Sequence, residues 1–266
     1  MDWNCLSKLN GFSLDIASFM AHAASDAYQS NLDYLQNRWK CEVRLIDIND
    51  SQAIVIDGPH LVIAFRGTEP GRIKDWLSGL DVIKAAWEDG TWVHSGFRDA
   101  YHDVRAAVHD ECATLRDREL FLVGHSLGGA IADLAAIDLE EHNISPRRIY
   151  TYGAPRALGW RAARKSRNMF TGRKFRVVNG NDIVPRVPMC LRFQHTGTLA
   201  YIPRSLSPGS ESKDITADIE INPGLGYLTY DRILGYRADM LRSHMMANYI
   251  QGIDNAQNNR TLRTKC

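Results

Sequence analysis

Apolar residues recur along the chain with two periods, one near 3.6 and one near 2, and the regions alternate. Leu14, Ala17, Phe19, Ala21, Ala24 and Tyr28 follow Ser13, a suitable N-cap, at roughly helical spacing, which predicts a helix over 13–38. Cys41 to Ile48 and Gln52 to Ile56 are β-rich runs joined across Asn49-Asp50-Ser51, a predicted hairpin. Leu61 to Phe65 is apolar throughout, the pattern of a strand buried on both faces. After the break at Pro70-Gly71, Ile73, Trp76, Leu77 and Leu80 fall at i, i+3, i+4 and i+7. That stripe predicts a short amphipathic helix within 69–80. A longer helix follows, with Phe97, Tyr101, Val104, Ala107, Val108 and Leu115 on its buried side.

The second half continues the alternation. Leu120 to Val123 is of strand length, and Leu127, Ala130, Ile131, Leu134 and Ala135 then take up helical spacing. Arg148 to Tyr152 and Lys174 to Val178 read as strands with a helix at 159–168 between them. Cys190 to Gln194 and Leu199 to Ile202 are expected to pair as strands, and Ser205 to Asp218 is the expected mobile loop. Leu241 to Ile253 predicts a final helix. Helices that separate strands throughout imply an α/β fold, a largely parallel sheet with helices on both faces, in one domain over 1–266.

At 266 residues and 44% hydrophobic, the chain can bury a substantial core. The 32 Lys and Arg nearly balance the 31 Asp and Glu, which argues against nucleic acid or an anionic membrane as an electrostatic partner. Five cysteines, at 5, 41, 112, 190 and 266, are widely spread with no C-x-x-C pair, so no disulfide framework is expected. No histidine pair has zinc-ligand spacing, and neither metal nor cofactor is implied. Met1 to Cys5 lacks a basic start before an apolar core, so no signal peptide is expected. With no run of about 20 apolar residues, no transmembrane segment is expected either. The chain reads as soluble, cytoplasmic or secreted after loss of a leader.

Chemistry enters at the junction of the predicted strand and helix near 124. Gly124-His125-Ser126-Leu127-Gly128 has the G-x-S-x-G spacing of a nucleophile elbow. A serine on such a turn takes a strained backbone, and glycines two before and two after it remove the collisions that side chains would make. The spacing alone arises by chance in roughly one chain in ten of this length; the strand before it and the helix after it carry the catalytic reading. His125 adjoins Ser126, but neighbouring side chains on the turn point apart, so it reads as structural.

A serine hydroxyl needs an imidazole to take its proton and an acid to orient that imidazole. Proteins with this elbow order them Ser, Asp or Glu, then His. Asp182 ends a predicted strand, where a parallel sheet presents its functional groups, although Asn179 to Asp182 also suits a plain turn. Of the two histidines that follow, His195 sits in a strand-like run, and His244 opens a helix after an irregular stretch. His244 is the better candidate base. Backbone N–H groups at Leu127 and at the turn near Thr68 are the candidate oxyanion hole.

These residues together resemble the lipase class 3 family, the fungal-type triacylglycerol lipases and their bacterial relatives. The matching blocks are Phe65-Arg-Gly-Thr68, Asp75-Trp76 with Leu80, Val93-His-Ser-Gly-Phe97, Gly124-His-Ser-Leu-Gly-Gly129, Tyr152-Gly-Ala-Pro-Arg156, Asn181-Asp182 with Val184-Pro185, and His244 with Tyr249. The resemblance implies an α/β-hydrolase with Ser126, Asp182 and His244 as triad, Thr68 and Leu127 at the oxyanion hole, and a lid helix on about 69–80. It implies a serine carboxylester hydrolase, a lipase acting on acylglycerols at a lipid–water interface. Esterases for short or aromatic (feruloyl-type) esters and phospholipases share the pattern; non-catalytic lipid-binding relatives share the fold, and the complete triad argues against that reading. The chain departs from the secreted fungal members in lacking a matching cysteine set, and residues 198 to 240 carry no alignable motif.

Overall fold

The computed structural model describes residues 1–7, 11–79, 83–180, 182–188, 192–203, 206, 218–221 and 241–263. Two helices, α1 (Leu14–Asp26) and α2 (Leu32–Trp39), come first. The hairpin strands β1 (Glu42–Ile48) and β2 (Ser51–Asp57) pair antiparallel, with Asn49 in the left-handed turn conformation its side chain tolerates. β3 (Leu61–Phe65) runs antiparallel to β2 and parallel to β6 (Leu120–His125). β7 (Arg148–Tyr152), β8 (Lys174–Asn179) and β9 (Thr198–Ile202) extend the parallel array, and β10 (Glu220–Ile221) closes it antiparallel. The sheet order is β1-β2-β3-β6-β7-β8-β9-β10, the mostly parallel α/β arrangement that the periodicity implies.

Every residue of β3, β6, β7 and β8 is buried, because both faces of the sheet are covered. Alternation sorts the side chains. Val62, Ala64, Phe121, Val123, Tyr150, Tyr152, Phe175 and Val177 join the core with α1 and the last helix, α7 (Met246–Arg263). Ile63, Phe65, Leu122 and Ile149 join the other core, with α4 (Ser95–Cys112), α5 (Leu127–Glu141) and α6 (Trp160–Met169). A small ribbon, β4 (Lys84–Ala86) and β5 (Trp92–His94), lies against α4 and α6. No described helix is long and apolar enough to cross a membrane.

Three expectations are corrected. The helix expected over 13–38 is two helices, because the Asn31 side chain accepts from the Tyr34 N–H and starts α2 afresh. The break frees Tyr28 to leave the helical stripe. The strand pair expected between 190–194 and 199–202 is not present among the described residues, which exclude 190 and 191: β9 pairs parallel with β8, and Gln194 makes a single bridge to Leu158. Gly197, at φ 89°, turns the chain between the two segments. The last helix begins at Met246 and runs to Arg263 rather than spanning 241–253. Met246, Tyr249, Ile253 and Ala256 form its buried stripe toward α1, each large apolar side chain worth roughly 1.5–3 kcal/mol on burial. The polar run after Asp254 hid that continuation.

The amphipathic segment after β3 is a 3₁₀ turn (Pro70–Arg72) followed by α3 (Ile73–Ser78). Ile73 is buried, Trp76 and Leu77 are half-buried, and Trp76 stacks on Phe97 at 6.2 Å between ring centroids. Leu80 lies outside the described residues, as does the loop expected over 205–218 apart from Leu206 and Asp218. Cys41 and Cys112 are free thiols; Cys190 and Cys266 are outside the described residues.

Candidate active site

β6 delivers His125 and then Ser126, whose backbone stands at φ 57°, ψ −128° before α5 begins at Leu127. Holding a serine there costs about 1–3 kcal/mol, and the surrounding packing enforces it. The turn admits no side chain at its two glycines: a Cβ on Gly124 would collide with the Gly128 carbonyl, and one on Gly128 with the Phe65 carbonyl. The Ser126 N–H donates to the Tyr152 carbonyl at 2.9 Å, which ties the elbow to the end of β7.

The next residue, Gly153, is the floor of the site. Its φ is +57°, and a Cβ there would stand 2.5 Å from Asp182 Oδ2, 2.9 Å from His244 Nδ1 and 2.9 Å from the Tyr249 hydroxyl. Asp182 reaches this point from the turn after β8, with its own N–H donating to Asn179 O. Its carboxylate is fully engaged. Val184 N–H donates to Oδ1 at 2.8 Å, and His244 Nδ1 and the Tyr249 hydroxyl donate to Oδ2 at 2.7 and 2.6 Å. Burial and the adjacent carboxylate push the Tyr249 phenol far above its ordinary range, so it stays a donor. With the Nδ1 proton on Asp182, His244 presents a bare Nε2 as an acceptor. Among the described residues that nitrogen has no hydrogen-bond partner, and neither does Ser126 Oγ. Ser126, Asp182 and His244 are 0%, 1% and 0% exposed.

His125 lies behind this group rather than in it. Its Nε2 donates to the His244 backbone carbonyl at 2.7 Å, so its Nδ1 must accept, from the Tyr28 hydroxyl at 2.7 Å. Burial, reinforced by His244, drops the His125 imidazole well below its ordinary range and keeps it neutral. The Tyr28 hydroxyl also takes a hydrogen bond from the Gly67 backbone, and burial raises its own ionisation well above normal. A chain of hydrogen bonds thus runs from the turn after β3, through Tyr28 and His125, to the loop bearing His244. Asn179 steadies the same loop by donating to Ser243 O at 3.0 Å.

Thr68 and Leu127 line one open pocket of about 590 Å³ together with Arg66, Gly67 and Trp76. Leu127 opens α5, so its N–H has no intrahelical acceptor. A Cβ on Gly67 would lie 2.9 Å from that of Ser126, which places the Thr68 turn directly beside the elbow. A second pocket of about 290 Å³ lies between Trp76, Ile83, His94, Phe97 and Leu127. His195 stands apart: its Nε2 bonds the Pro185 carbonyl at 2.6 Å, and burial with nearby Arg176 lowers its pKa well below normal.

Sequence reasoning put Tyr28 on a helical stripe and Gly153 and Tyr249 in matching family blocks, but assigned none of them, nor Asn179, a part in the site. For Tyr28 the usable signal was Asn31, since a cap residue there separates it from the helix that follows. Far from the elbow, His109, Asp138 and His142 bring three ligand-type atoms within 4.8 Å of one another. Asp138 is already bound by Arg105 and by the Tyr101 hydroxyl, and the guanidinium would compete with any cation.

A mostly parallel sheet covered on both faces, with a strained serine between β6 and α5 and an acid after β8, defines an α/β-hydrolase fold. Residues 62–192 match the family model described as Lipase (class 3). A lipase of Rhizomucor miehei is 34% identical over 170 residues, 58% of this chain and 46% of that protein. Secreted mono- and diacylglycerol lipase 1 of Fusarium solani is 29% identical over 174 residues, 62% of this chain and 50% of the relative. The chain spans about half the length of the curated relatives it matches. Among solved structures, the native Rhizomucor miehei lipase–propeptide complex aligns with TM-score 0.60 at 27% identity over 73% of each chain. An MDLA variant from Penicillium cyclopium aligns with TM-score 0.72 at 22% identity, over 91% of this chain and 97% of that one, a likeness of fold.

Proposed function

We propose that this chain is a serine carboxylester hydrolase whose substrates are acylglycerols. The observation that supports this most is a complementary pair of buried, unpartnered atoms, the Ser126 hydroxyl and His244 Nε2, with Asp182 on the far side of the imidazole. His244 takes the Ser126 proton as Oγ attacks the ester carbonyl. The N–H groups of Leu127 and Thr68 hold the resulting oxyanion. Collapse of the tetrahedral species breaks the ester C–O bond, and His244 returns the proton to the leaving alcohol. Water, deprotonated by His244, then attacks the acyl-enzyme, and the acid leaves with Ser126 restored. Asp182 orients the imidazole and stabilises the imidazolium. The relatives' printed activities on acylglycerols support that substrate class.

The segment 69–80 acts in this reading as a lid. Ile73 is buried, Trp76 and Leu77 are half-buried, Trp76 borders both pockets beside Leu127, and the triad is closed from solvent. The test is a hydrolysis panel of glycerol esters from acetyl to stearoyl, with a phospholipid and a feruloyl ester included, alongside labelling by a serine-directed phosphonate. The reading expects turnover of acylglycerols and labelling confined to Ser126. Labelling without turnover of any ester, or turnover that survives Ser126→Ala, would overturn it.

A further inference from the structure

We propose that the surface formed by β5 and the outer face of α6 docks the protein on an anionic lipid surface, and does so outside the lid. This inference rests on the acylglycerol reading above for its purpose, but not for its observations. Trp160 and Trp92 are 65% and 49% exposed, and Ile83, just before β4, is 55% exposed. The two tryptophans are carried on backbone segments that adjoin, since Gly159 donates its N–H to the Trp92 carbonyl at 2.8 Å. Ser95 donates to the Ile83 carbonyl at 3.0 Å, so Ile83 sits three residues along the ribbon from Trp92, roughly 10 Å.

Charge complementarity selects the occupant. Helix α6, Trp160–Met169, contains no acidic residue; Ala162, Ala163 and Ser166 face the core, and Arg161, Arg164 and Arg167 face solvent. Among the described residues neither Arg161 nor Arg164 forms an ion pair. Lys165 of the same helix already pairs with Asp89 at 2.7 Å and with Glu141. Exposed tryptophan beside a basic stripe is the composition that seats a helix at an anionic interface, with rings among the headgroups and arginines on their phosphates. The near-zero net charge of the chain averages this segregation away.

Topology places the surface usefully. α6 connects the parallel strands β7 and β8, so it runs back along the sheet and its first turn lies at the strands' C-terminal end. Ser126 and Asp182 lie at that same end, and Ile83 borders the pocket shared with Leu127. Contact through Trp160 and Trp92 would hold that end of the sheet against the lipid.

The experiment uses the full chain carrying Ser126→Ala, so that no product alters the vesicles. Co-sedimentation is measured with phosphatidylcholine vesicles and with vesicles partly replaced by phosphatidylglycerol, across a salt series. We expect strong binding to the anionic vesicles that weakens with salt. Arg161→Gln with Arg164→Gln should reduce it roughly tenfold or more, and Trp92→Ser with Trp160→Ser should reduce binding to both vesicle types. The same substitutions in the active chain should leave hydrolysis of a soluble short ester and the thermal unfolding midpoint unchanged. Equal binding to neutral and anionic vesicles, or binding untouched by either pair, would overturn the proposal. So would a dimer dispersed by the tryptophan pair, which would assign the face to a second copy. A parent chain that binds vesicles yet hydrolyses no ester would defeat the functional reading alone.

Discussion

His125 donates its Nε2 proton to the backbone carbonyl of His244, 2.7 Å away and 119 residues later in the chain. The bond fixes the tautomer of one histidine and the loop position of the other. The residue next to the candidate nucleophile therefore positions the candidate base while burial keeps its own imidazole neutral, and its other nitrogen depends on Tyr28. Tyr28→Phe leaves that nitrogen and the Gly67 N–H buried without a partner. It is expected to lower stability by about 1–3 kcal/mol and to reduce kcat more than it changes KM. Urea titration and steady-state kinetics on a soluble ester check this; an unchanged kcat would show that the relay has no positioning role.

Ser126→Ala, Asp182→Ala and His244→Ala are each expected to lose at least ~10⁴-fold in kcat while the chain remains folded, because the three act as a unit. Single-turnover rates with circular dichroism on each variant provide the measurement. Normal turnover in His244→Ala beside an inactive His195→Ala would reassign the base.

Gly153→Ala should be nearly as damaging as loss of a triad member, on the order of 10²-fold or more in kcat, without touching a reacting atom. Its methyl group would displace the Asp182 and His244 side chains by clashing with both, and misplacement on the scale of 1 Å is enough for such a loss. Kinetics paired with a crystal structure of the variant would reveal the shift; full activity would mean the site tolerates a different floor.

Acid stability should depend on Asp138, remote from the site. Burial alone would raise this carboxyl, but hydrogen bonds from Arg105, Tyr101 and His109 together outweigh it and hold the pKa at about 2. A depressed carboxylate contributes stability above its unfolded pKa, near 4, and loses it as pH falls through the folded value near 2. The contribution is roughly 2 kcal/mol at neutral pH. Asp138→Asn should therefore lower the unfolding free energy at pH 7 and flatten its decline between about pH 4 and 2. Denaturant titrations over that range test both parts.

With a sparingly soluble ester, rate plotted against concentration should break upward at the solubility limit, because an opened lid then meets an apolar phase instead of water. Trp76→Ser, which removes the ring stacked on Phe97, should shrink the break. A hyperbola that saturates below the limit, the same in the variant, would favour a fixed helix over a lid.

Much of this architecture was written locally. Gly124 and Gly128 mark the elbow because the collision each one avoids lies within a few residues or one strand away. Periodicity identified β3, β6, β7, α4 and α5, whose burial on both faces or on one stripe leaves a direct imprint on residue type. Asp182 was legible as the residue beyond a strand, and His244 as a histidine delivered by a loop. The helix boundary at Asn31 was missed because the apolar stripe runs on to Tyr28, which lies beyond the end of α1 and turns its hydroxyl to His125.

What the sequence alone determined, then, is the order of elements, the elbow and the candidates for its partners, since these depend on neighbours at short spacing. Tertiary structure decided which groups meet. The bond from Tyr28 to His125 spans 97 residues, and that from Tyr249 to Asp182 spans 67. Neither leaves a periodic trace, because a single hydrogen bond constrains one side chain on each partner and nothing between them. The placement of β9 beside β8 was likewise settled by burial of the sheet edge, and the clustering of Trp92 with α6 by a crossover that brings distant segments to one rim. Net charge and period are sums along the chain, whereas a site is a coincidence in space.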